Sequence, residues 1–417
     1  MTRRLPIVFS VSLCFLLVPR ARALADPREE SCFVCHAAFG ESDLGLPAQR
    51  YPEDIHFARG FGCVACHGGD GTDPELTAMD PEKGYAGKPA GEEIVRVCGR
   101  CHSDARFMHR YNPSLRVDQV TEYYTSVHGR KLREGDLRVA TCTSCHGVHE
   151  IRPPSDPRST VHPLRVADTC GSCHADPELM GSYGLPADPV ERYKRSVHWM
   201  RLEGGDLSSP TCNDCHGNHG AAPPGVSWVG NVCGQCHAQN AELFARSFHA
   251  EIFTRMGIPG CASCHGNHDI VKTSDRMLGL DDPAVCAACH SAEDAGGKAA
   301  LAMREAIDTL ARRYDEARVL LERATRAGMP TGPVKFRLTE AHTALVKARA
   351  AVHAFDVSKV RAEVDPGLEI ADEVRTQAQE LLAELQFRRK GLAVSLVVIL
   401  AVLVGLVLKI REIERRR

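Results

Sequence analysis

The cysteines are the residues of this chain with the most evident chemistry, because all but one belong to a single repeated pattern. The chain has 417 residues and 19 cysteines. Cys14 lies alone near the N-terminus, and the other 18 form nine Cys-x-x-Cys-His motifs. The cysteine pairs are Cys32 and Cys35, Cys63 and Cys66, Cys98 and Cys101, Cys142 and Cys145, Cys170 and Cys173, Cys212 and Cys215, Cys233 and Cys236, Cys261 and Cys264, and Cys286 and Cys289. The histidines that close the motifs, by which we name each motif, are His36, His67, His102, His146, His174, His216, His237, His265 and His290.

The spacing of this motif has a chemical reason. Two cysteines three residues apart share one face of a helical turn, so both sulfurs can bond the two vinyl groups of one porphyrin. The next residue then places its imidazole on the iron as the proximal ligand, and the pattern is the attachment signature of c-type haem. Zinc ribbons and disulfides also use paired cysteines, but neither explains a histidine after every second cysteine. The motifs therefore predict nine covalently bound haem c groups.

Nine further histidines in residues 26–298 are candidates for the second, distal axial ligand. Three of them follow a motif histidine by three residues, and three others precede a motif in a Ser-Val-His or Ser-Phe-His triplet. His56 holds the equivalent place before the His67 motif, whereas His109 and His162 have no repeat support. The full set is His56, His109, His128, His149, His162, His198, His219, His249 and His268. Met108 and Met180 are competing ligands, which would raise the potential of a haem.

The histidines that follow a motif lead to a sharper prediction. Such a side chain projects from the same local turn as the proximal histidine and cannot reach the far side of its own haem. We therefore expect His149, His219 and His268 each to bind a haem other than the one attached to its own motif. In particular, His219 should bind an iron other than that of His216.

The motifs are arranged in a repeat. Four units carry two motifs each, and the His36 motif stands alone before them. Residues 26–298 thus resemble multihaem c-type cytochromes of the periplasm, which carry electrons between membrane and periplasmic partners. The expected fold is mainly α with much irregular loop and little sheet. Aromatic residues are only 6% of the chain, so haem must supply much of the interior.

The ends of the chain predict export and a membrane anchor. Residues 1–25 have a basic start, an apolar run and a small-residue cleavage site, as in a secretory signal peptide. Residues 391–408 are uncharged and just long enough for a transmembrane helix, and residues 409–417 form a basic tail expected to be cytoplasmic. The net charge of −2 gives no argument for nucleic acid.

Residues 299–390, between the haem region and the anchor, have the pattern of a helical hairpin and stalk. Breaks are predicted at residues 328–333 and at Asp365-Pro366-Gly367, so that a third helix would begin at Leu368. His342 and His353 lie eleven residues apart on the second helix. We interpret both as exposed histidines, with a haem-ligand or quinone role as the alternative.

Together these features predict a membrane-anchored periplasmic nonahaem cytochrome c. It would relay electrons between a quinol or quinol-oxidising complex and a periplasmic redox partner, and it is more an electron carrier than an enzyme. One alternative is a multihaem reductase of a small nitrogen or sulfur oxyanion at one open haem. Another is a direct quinol dehydrogenase, and a third reading makes the helical region a docking module.

Overall fold

A computed structural model of the protein describes residues 26–222 and 230–416. The predicted signal peptide, residues 1–25, lies outside the described residues, as does Arg417 of the predicted tail. Over the described ranges all regular secondary structure is helical, which confirms the predicted mainly α fold class. The α-helices are α1 (Ser31–Ala37), α2 (Leu46–Arg50), α3 (Val64–His67), α4 (Glu92–His102), α5 (Ala105–Met108), α6 (Gln119–Thr125), α7 (Val127–Arg133), α8 (Cys142–His146), α9 (Pro163–His174), α10 (Pro177–Ser182), α11 (Pro189–Lys194), α12 (Val197–Glu203), α13 (Cys212–His216), α14 (Gly230–Cys233), α15 (Ala238–Ala245), α16 (Phe248–Met256), α17 (Gly260–His265), α18 (Ala295–Arg326), α19 (Gly332–Ala351) and α20 (Val357–Arg416). Short 3-10 helices cover Pro27–Glu29, Tyr51–Glu53, Phe57–Arg59, Leu76–Met79, Pro81–Lys83, Asp275–Met277, Cys286–Ala288 and Val352–Ala354.

The described residues fall into two compact units. One consists of residues 26–190 and 210–222, and the other of residues 191–209 and 230–416. The first contains the six motifs from His36 to His216. The second contains the last three motifs together with the three long helices α18, α19 and α20.

Glycines after the motifs set the direction of the chain. Helices α3, α8, α13 and α17 each end at the motif histidine, and the next residue is a glycine with positive φ, for example 77° at Gly147 and 79° at Gly266. Only glycine adopts this conformation without strain. The turn ends the motif helix at once, and after α8, α13 and α17 it leads directly to the histidine three residues beyond the motif.

Buried caps position the histidines that precede the motifs. Ser126 is the N-cap of α7, and its hydroxyl accepts a hydrogen bond from Gly129 N at 2.9 Å. Ser196 caps α12 in the same way, accepting from Trp199 N at 3.1 Å. Both serines are 0% exposed. Because a cap satisfies backbone donors that the helix itself leaves unpaired, it fixes the start of each helix and thus the His128 and His198 side chains in its first turn.

The three long helices have an apolar core of their own. Ile307, Leu310 and Leu345 lie in one buried cluster of this bundle, and Leu321 and Val374 lie in a second. These side chains come from all three helices. The bundle is thus held by ordinary packing of apolar faces.

The predicted break at Asp365-Pro366-Gly367 is wrong, since α20 runs from Val357 without interruption and Pro366 lies inside it. An interior proline costs about 3 kcal/mol. The burial of Val360 and Val374, both 0% exposed, offsets that cost on either side. A Cβ on Gly367 would lie 2.8 Å from Ala344 Cβ, so this glycine permits close helix packing rather than a turn.

The last part of α20 is the candidate membrane anchor. An 18-residue window of this helix has a mean hydropathy of 3.0, and none of the window is buried inside the protein. Its length and composition are sufficient to cross a bilayer. The helix is thus compatible with single-pass membrane anchoring and indicates membrane association.

Candidate haem-binding site

The described structure bears on the two competing explanations of the motif cysteines, which are disulfides and a zinc ion. All 18 motif cysteines lie in the described ranges, and they are free of disulfide bonds. In the same ranges no group of three or more His, Cys, Asp or Glu side chains has the arrangement of a metal-ion cage. A tetrahedral zinc site would need such a group. The two competing explanations of the cysteine pairs therefore find no support in the fold.

Imidazole rings face one another in pairs at nearly constant separation. Two imidazoles on opposite faces of one iron, each bonded through nitrogen at about 2.0–2.1 Å as in other metal–imidazole bonds, would have ring centres roughly 6 Å apart. Seven pairs meet this condition, and each contains one motif histidine. The pairs are His56 and His102 (6.0 Å), His67 and His149 (6.0 Å), His128 and His174 (6.1 Å), His146 and His219 (6.2 Å), His198 and His237 (6.4 Å), His249 and His290 (6.0 Å), and His265 and His353 (6.2 Å). The geometry fits two axial histidines on one haem iron in each case.

The pairing follows two rules that repeat along the chain. The histidine that precedes a unit faces the second motif histidine of that same unit, as His128 faces His174. The histidine three residues after a motif faces the first motif histidine of the preceding unit, as His219 faces His146. This placement of His219 supports the expectation that it serves a haem other than that of His216.

Hydrogen bonds at Nδ1 orient several of these rings for coordination through Nε2. A metal-binding histidine commonly donates its other ring N–H to a carbonyl or carboxylate, which fixes the tautomer and the ring orientation. The acceptors are Leu44 O for His36 (2.8 Å), Gly87 O for His67 (2.8 Å), Ala222 O for His216 (3.1 Å), Asp54 Oδ1 for His56 (2.8 Å), Asp294 Oδ1 for His290 (3.0 Å) and Ala350 O for His353 (3.0 Å). In all six, the Nε2 lone pair is left for an iron.

Asp54 connects two of the candidate ligand segments. Its side chain is buried, and Oδ1 accepts from both the backbone N–H and Nδ1 of His56, at 2.9 and 2.8 Å. Oδ2 accepts from Ile151 N at 2.7 Å, two residues beyond His149. The carboxylate therefore orients one distal histidine and holds the loop that supplies another.

Burial keeps many of these imidazoles neutral, which is the form that binds a metal. Loss of hydration disfavours the imidazolium ion and is the main cause that lowers the pKa of each affected histidine. The pKa is lowered in His102, His128, His146, His149, His174, His198, His219, His249, His265 and His353.

Neighbouring motifs also lie side by side. The sulfurs of Cys98 and Cys142 are in hydrogen-bond contact, as are those of Cys170 and Cys212 and those of Cys233 and Cys261, and this contact is the main reason that the pKa of Cys98, Cys170 and Cys261 is raised. With haem attached these sulfurs would be thioethers, and their closeness would place the attachment points of neighbouring haems next to each other.

The contacts extend to the motifs on either side. Burial and the charge of Cys98 raise the pKa of Cys66. Helix α8 contacts α9, which joins the His146 and His174 motifs. Burial and the charge of Cys286 raise the pKa of Cys264. The motifs from His67 to His216 therefore form one contiguous series, and those from His237 to His290 form another.

The remaining predicted ligands differ in their surroundings. His109 is exposed at the end of α5, and His162 is buried. The Nδ1 of His162 accepts a hydrogen bond from Leu164 N at 3.3 Å, and the ligand roles of His109 and His162 stay predictions. His268 is half-buried, and its ligand role stays a prediction. The competing candidates Met108 and Met180 are buried.

Sequence reasoning missed His353, which we interpreted as exposed. The signal that could have found it is a comparison of each first-motif histidine with the downstream histidine available to pair with it. Two first-motif histidines, His67 and His146, are served by the next unit along the chain, and no cytochrome unit follows the one that contains His265. A histidine from beyond the repeat was therefore needed.

One comparison with known families supports the reading of these motifs as haem sites of a multihaem c-type cytochrome. Residues 206–291, which carry the four motifs from His216 to His290, match the family model described as cytochrome c3. The match supports covalent haem c and electron transfer by a multihaem cytochrome. No curated protein matches the chain.

Proposed function

We propose that the chain is a nonahaem cytochrome c that relays electrons one at a time along neighbouring haems. The observation that carries this proposal is the set of seven histidine pairs, because each pair would close one haem iron on both faces. Iron with two histidines and no open position suits electron transfer rather than substrate binding. The protein would set the ligands, the burial and the spacing, and the iron supplies the redox chemistry.

The contiguous motifs support transfer between haems. Motif helices α4 and α8 contact each other, as do α9 and α13, so successive porphyrins would lie close together within a compact unit. Charge at one iron changes the field at the next. The haems would therefore titrate interdependently, and an electron that enters at one end of a unit could move through it.

We further propose that the haem region lies in the periplasm and is held at the cytoplasmic membrane. A signal peptide at residues 1–25 would direct export, residues 391–408 would span the bilayer once, and residues 409–417 would lie in the cytoplasm. The partners would be a quinol or quinol-oxidising complex in the membrane and a soluble periplasmic redox protein. A protease-sensitive tag placed after residue 417 tests the orientation, since it should be cut only from the cytoplasmic side.

The full-length protein in lipid vesicles tests the function. We expect nine haems by intact mass, only low-spin iron in the oxidised spectrum, and complete reversible reduction by a quinol analogue or by a quinol-oxidising complex. A high-spin iron that reduces nitrite or sulfite at a steady rate would instead favour the reductase. Reduction by the quinol analogue with no added complex would identify a direct quinol dehydrogenase. A haem count well below nine would overturn the proposal.

A further inference from the structure

We infer that His353, in the helical region outside the cytochrome repeats, is the second axial ligand of the haem held by Cys261, Cys264 and His265. This inference rests on the proposed function, because it requires haem at that motif. The rings of His265 and His353 face each other with centres 6.2 Å apart and planes inclined by 19°. That separation is what a shared iron requires.

The geometry matches that of the other first-motif pairs. The rings of His67 and His149 are 6.0 Å apart and inclined by 20°, and those of His146 and His219 are 6.2 Å apart and inclined by 11°. The second-motif pairs cover a wider range of inclination, with 89°, 59° and 68° for His56 with His102, His128 with His174, and His249 with His290, and 23° for His198 with His237. His353 thus occupies the place that His149 and His219 hold for earlier haems.

The hydrogen bonding of His353 suits coordination. Its Nδ1 donates to Ala350 O at 3.0 Å, so Nε2 carries the free lone pair. Carbonyl acceptors hold His36 and His67 in the same manner, at 2.8 Å from Leu44 O and from Gly87 O. A backbone acceptor of this kind fixes both the tautomer and the direction of a ligating ring.

The residue two positions after His353 lies beside an upstream histidine, as the corresponding residues of the repeat do, although it makes a different contact. Within the repeat, the residue two after the downstream histidine accepts a backbone hydrogen bond from the residue before an upstream histidine. Three such hydrogen bonds occur: Ile151 O accepts from Ile55 N (2.8 Å), Ala221 O accepts from Val127 N (3.1 Å), and Ile270 O accepts from Val197 N (2.8 Å). Phe355 occupies this position after His353, and its ring centre is 3.9 Å from that of the upstream histidine His249.

The segment around His353 is held firmly against the haem region. Arg349 makes two hydrogen bonds to the Asp275 carboxylate, at 2.8 and 2.7 Å. The 3-10 helix Val352–Ala354 contacts α15, and Phe355, with φ at 53°, reverses the chain before α20. His342, on the preceding helix α19, is exposed, and its ring centre lies 5.4 Å from that of Tyr314. It therefore serves as a matched control.

The test compares full-length holoprotein carrying His353→Ala, His353→Met or His342→Ala with the parent. Peptide mapping first establishes haem on the peptide with Cys261 and Cys264, and absence of haem there would overturn the proposed function at this motif, not merely the ligand. With haem present, His353→Ala should keep the haem count, gain one high-spin haem, and bind one additional CO per reduced protein. Added imidazole should restore the low-spin spectrum.

The other variants make the outcome decisive. His353→Met should remain low-spin and show one haem with a raised midpoint potential, because methionine favours the reduced iron. His342→Ala should match the parent in every measurement. If His353→Ala fails to fold, His353→Met decides the question by the presence or absence of that single potential shift. An unchanged spin state, CO capacity and potential in the two His353 variants would overturn the inference.

Discussion

The haem-bearing segments and the three-helix bundle differ in what fills their interiors. In the bundle, Ile307 and Leu310 are 0% exposed and belong to a cluster of apolar side chains. Among the haem-bearing segments the one described cluster of buried apolar residues is small and contains Val95, Tyr123 and Leu132. The comparison teaches that one region folds by side-chain packing, whereas the other has few buried apolar side chains and would depend on haem for its interior.

Withholding haem should produce the largest difference between the two regions. Protein produced without haem attachment should lose protection from hydrogen exchange throughout residues 26–291, because metal-centre binding energy is also folding energy. Residues 295–390 should stay protected by the packing of α18, α19 and the first part of α20. Hydrogen exchange measured by mass spectrometry, with holoprotein as the control, tests this difference. Equal protection of both regions in the haem-free protein would contradict it.

Leu310→Ala should damage the bundle selectively. Removing this fully buried side chain should lower the free energy of unfolding of the bundle by about 2–5 kcal/mol. The haem count should not change, because no motif is touched. Denaturant unfolding followed by far-UV circular dichroism gives the loss, and Leu301→Ala, whose side chain is 41% exposed, is the matched control. A loss as large in the control would show that the effect does not come from packing.

Asp54→Asn should change the redox properties of one haem, and its effect on stability should be smaller than that of Leu310→Ala. The carboxylate that accepts from His56 Nδ1 makes the imidazole a stronger donor and favours oxidised iron. A neutral amide should raise the midpoint potential of the His102 haem. The hydrogen bond from His56 Nδ1 to the carboxylate should be stronger than that to the amide by about 1 kcal/mol. This difference corresponds to about 40 mV for a one-electron couple.

A spectroelectrochemical titration measures the shift that Asp54→Asn produces. The exposed Asp43 provides the control variant Asp43→Asn, which should leave all potentials unchanged. A lowered potential in Asp54→Asn would contradict the assigned direction of the hydrogen bond.

Ser196→Ala should have the smallest effect of the four changes. The lost N-cap of α12 should lower local stability by about 1 kcal/mol and increase hydrogen exchange near His198. The His237 haem should stay six-coordinate, because the ring of His198 is half-buried and loss of one cap leaves the rest of α12 in place. Exposed Ser208 provides the control substitution, and equal exchange rates in both variants would count against the cap.

Much of the site could be predicted from the sequence because haem attachment needs a fixed local spacing. The motif at His265, for example, is recognisable from five consecutive residues, and the repeat predicts that His219 serves a different haem. The partner of each histidine is a matter of tertiary structure, so His146 could not be named as the partner of His219. The fold class and the long helices followed from composition and apolar periodicity.

Two errors have the same physical cause. A proline in the interior usually breaks a helix. At Pro366, burial of Val360 and Val374 in the bundle outweighs this local cost. His353 was interpreted as a surface residue because a lone histidine on a charged helix is usually exposed. In both cases contacts between segments distant in sequence override the local preference, and such contacts cannot be read from spacing alone.

An experimental structure of the haem-loaded protein tests the central claim most directly, through the iron-to-nitrogen distances. We predict nine haem groups, with the two histidines of each of the seven pairs bound to one iron at about 2 Å, as in other imidazole–metal bonds. His219 and His146 on a common iron would be the clearest single confirmation. Pairs divided between different irons, or disulfides or zinc ions at the cysteine motifs, would contradict the account.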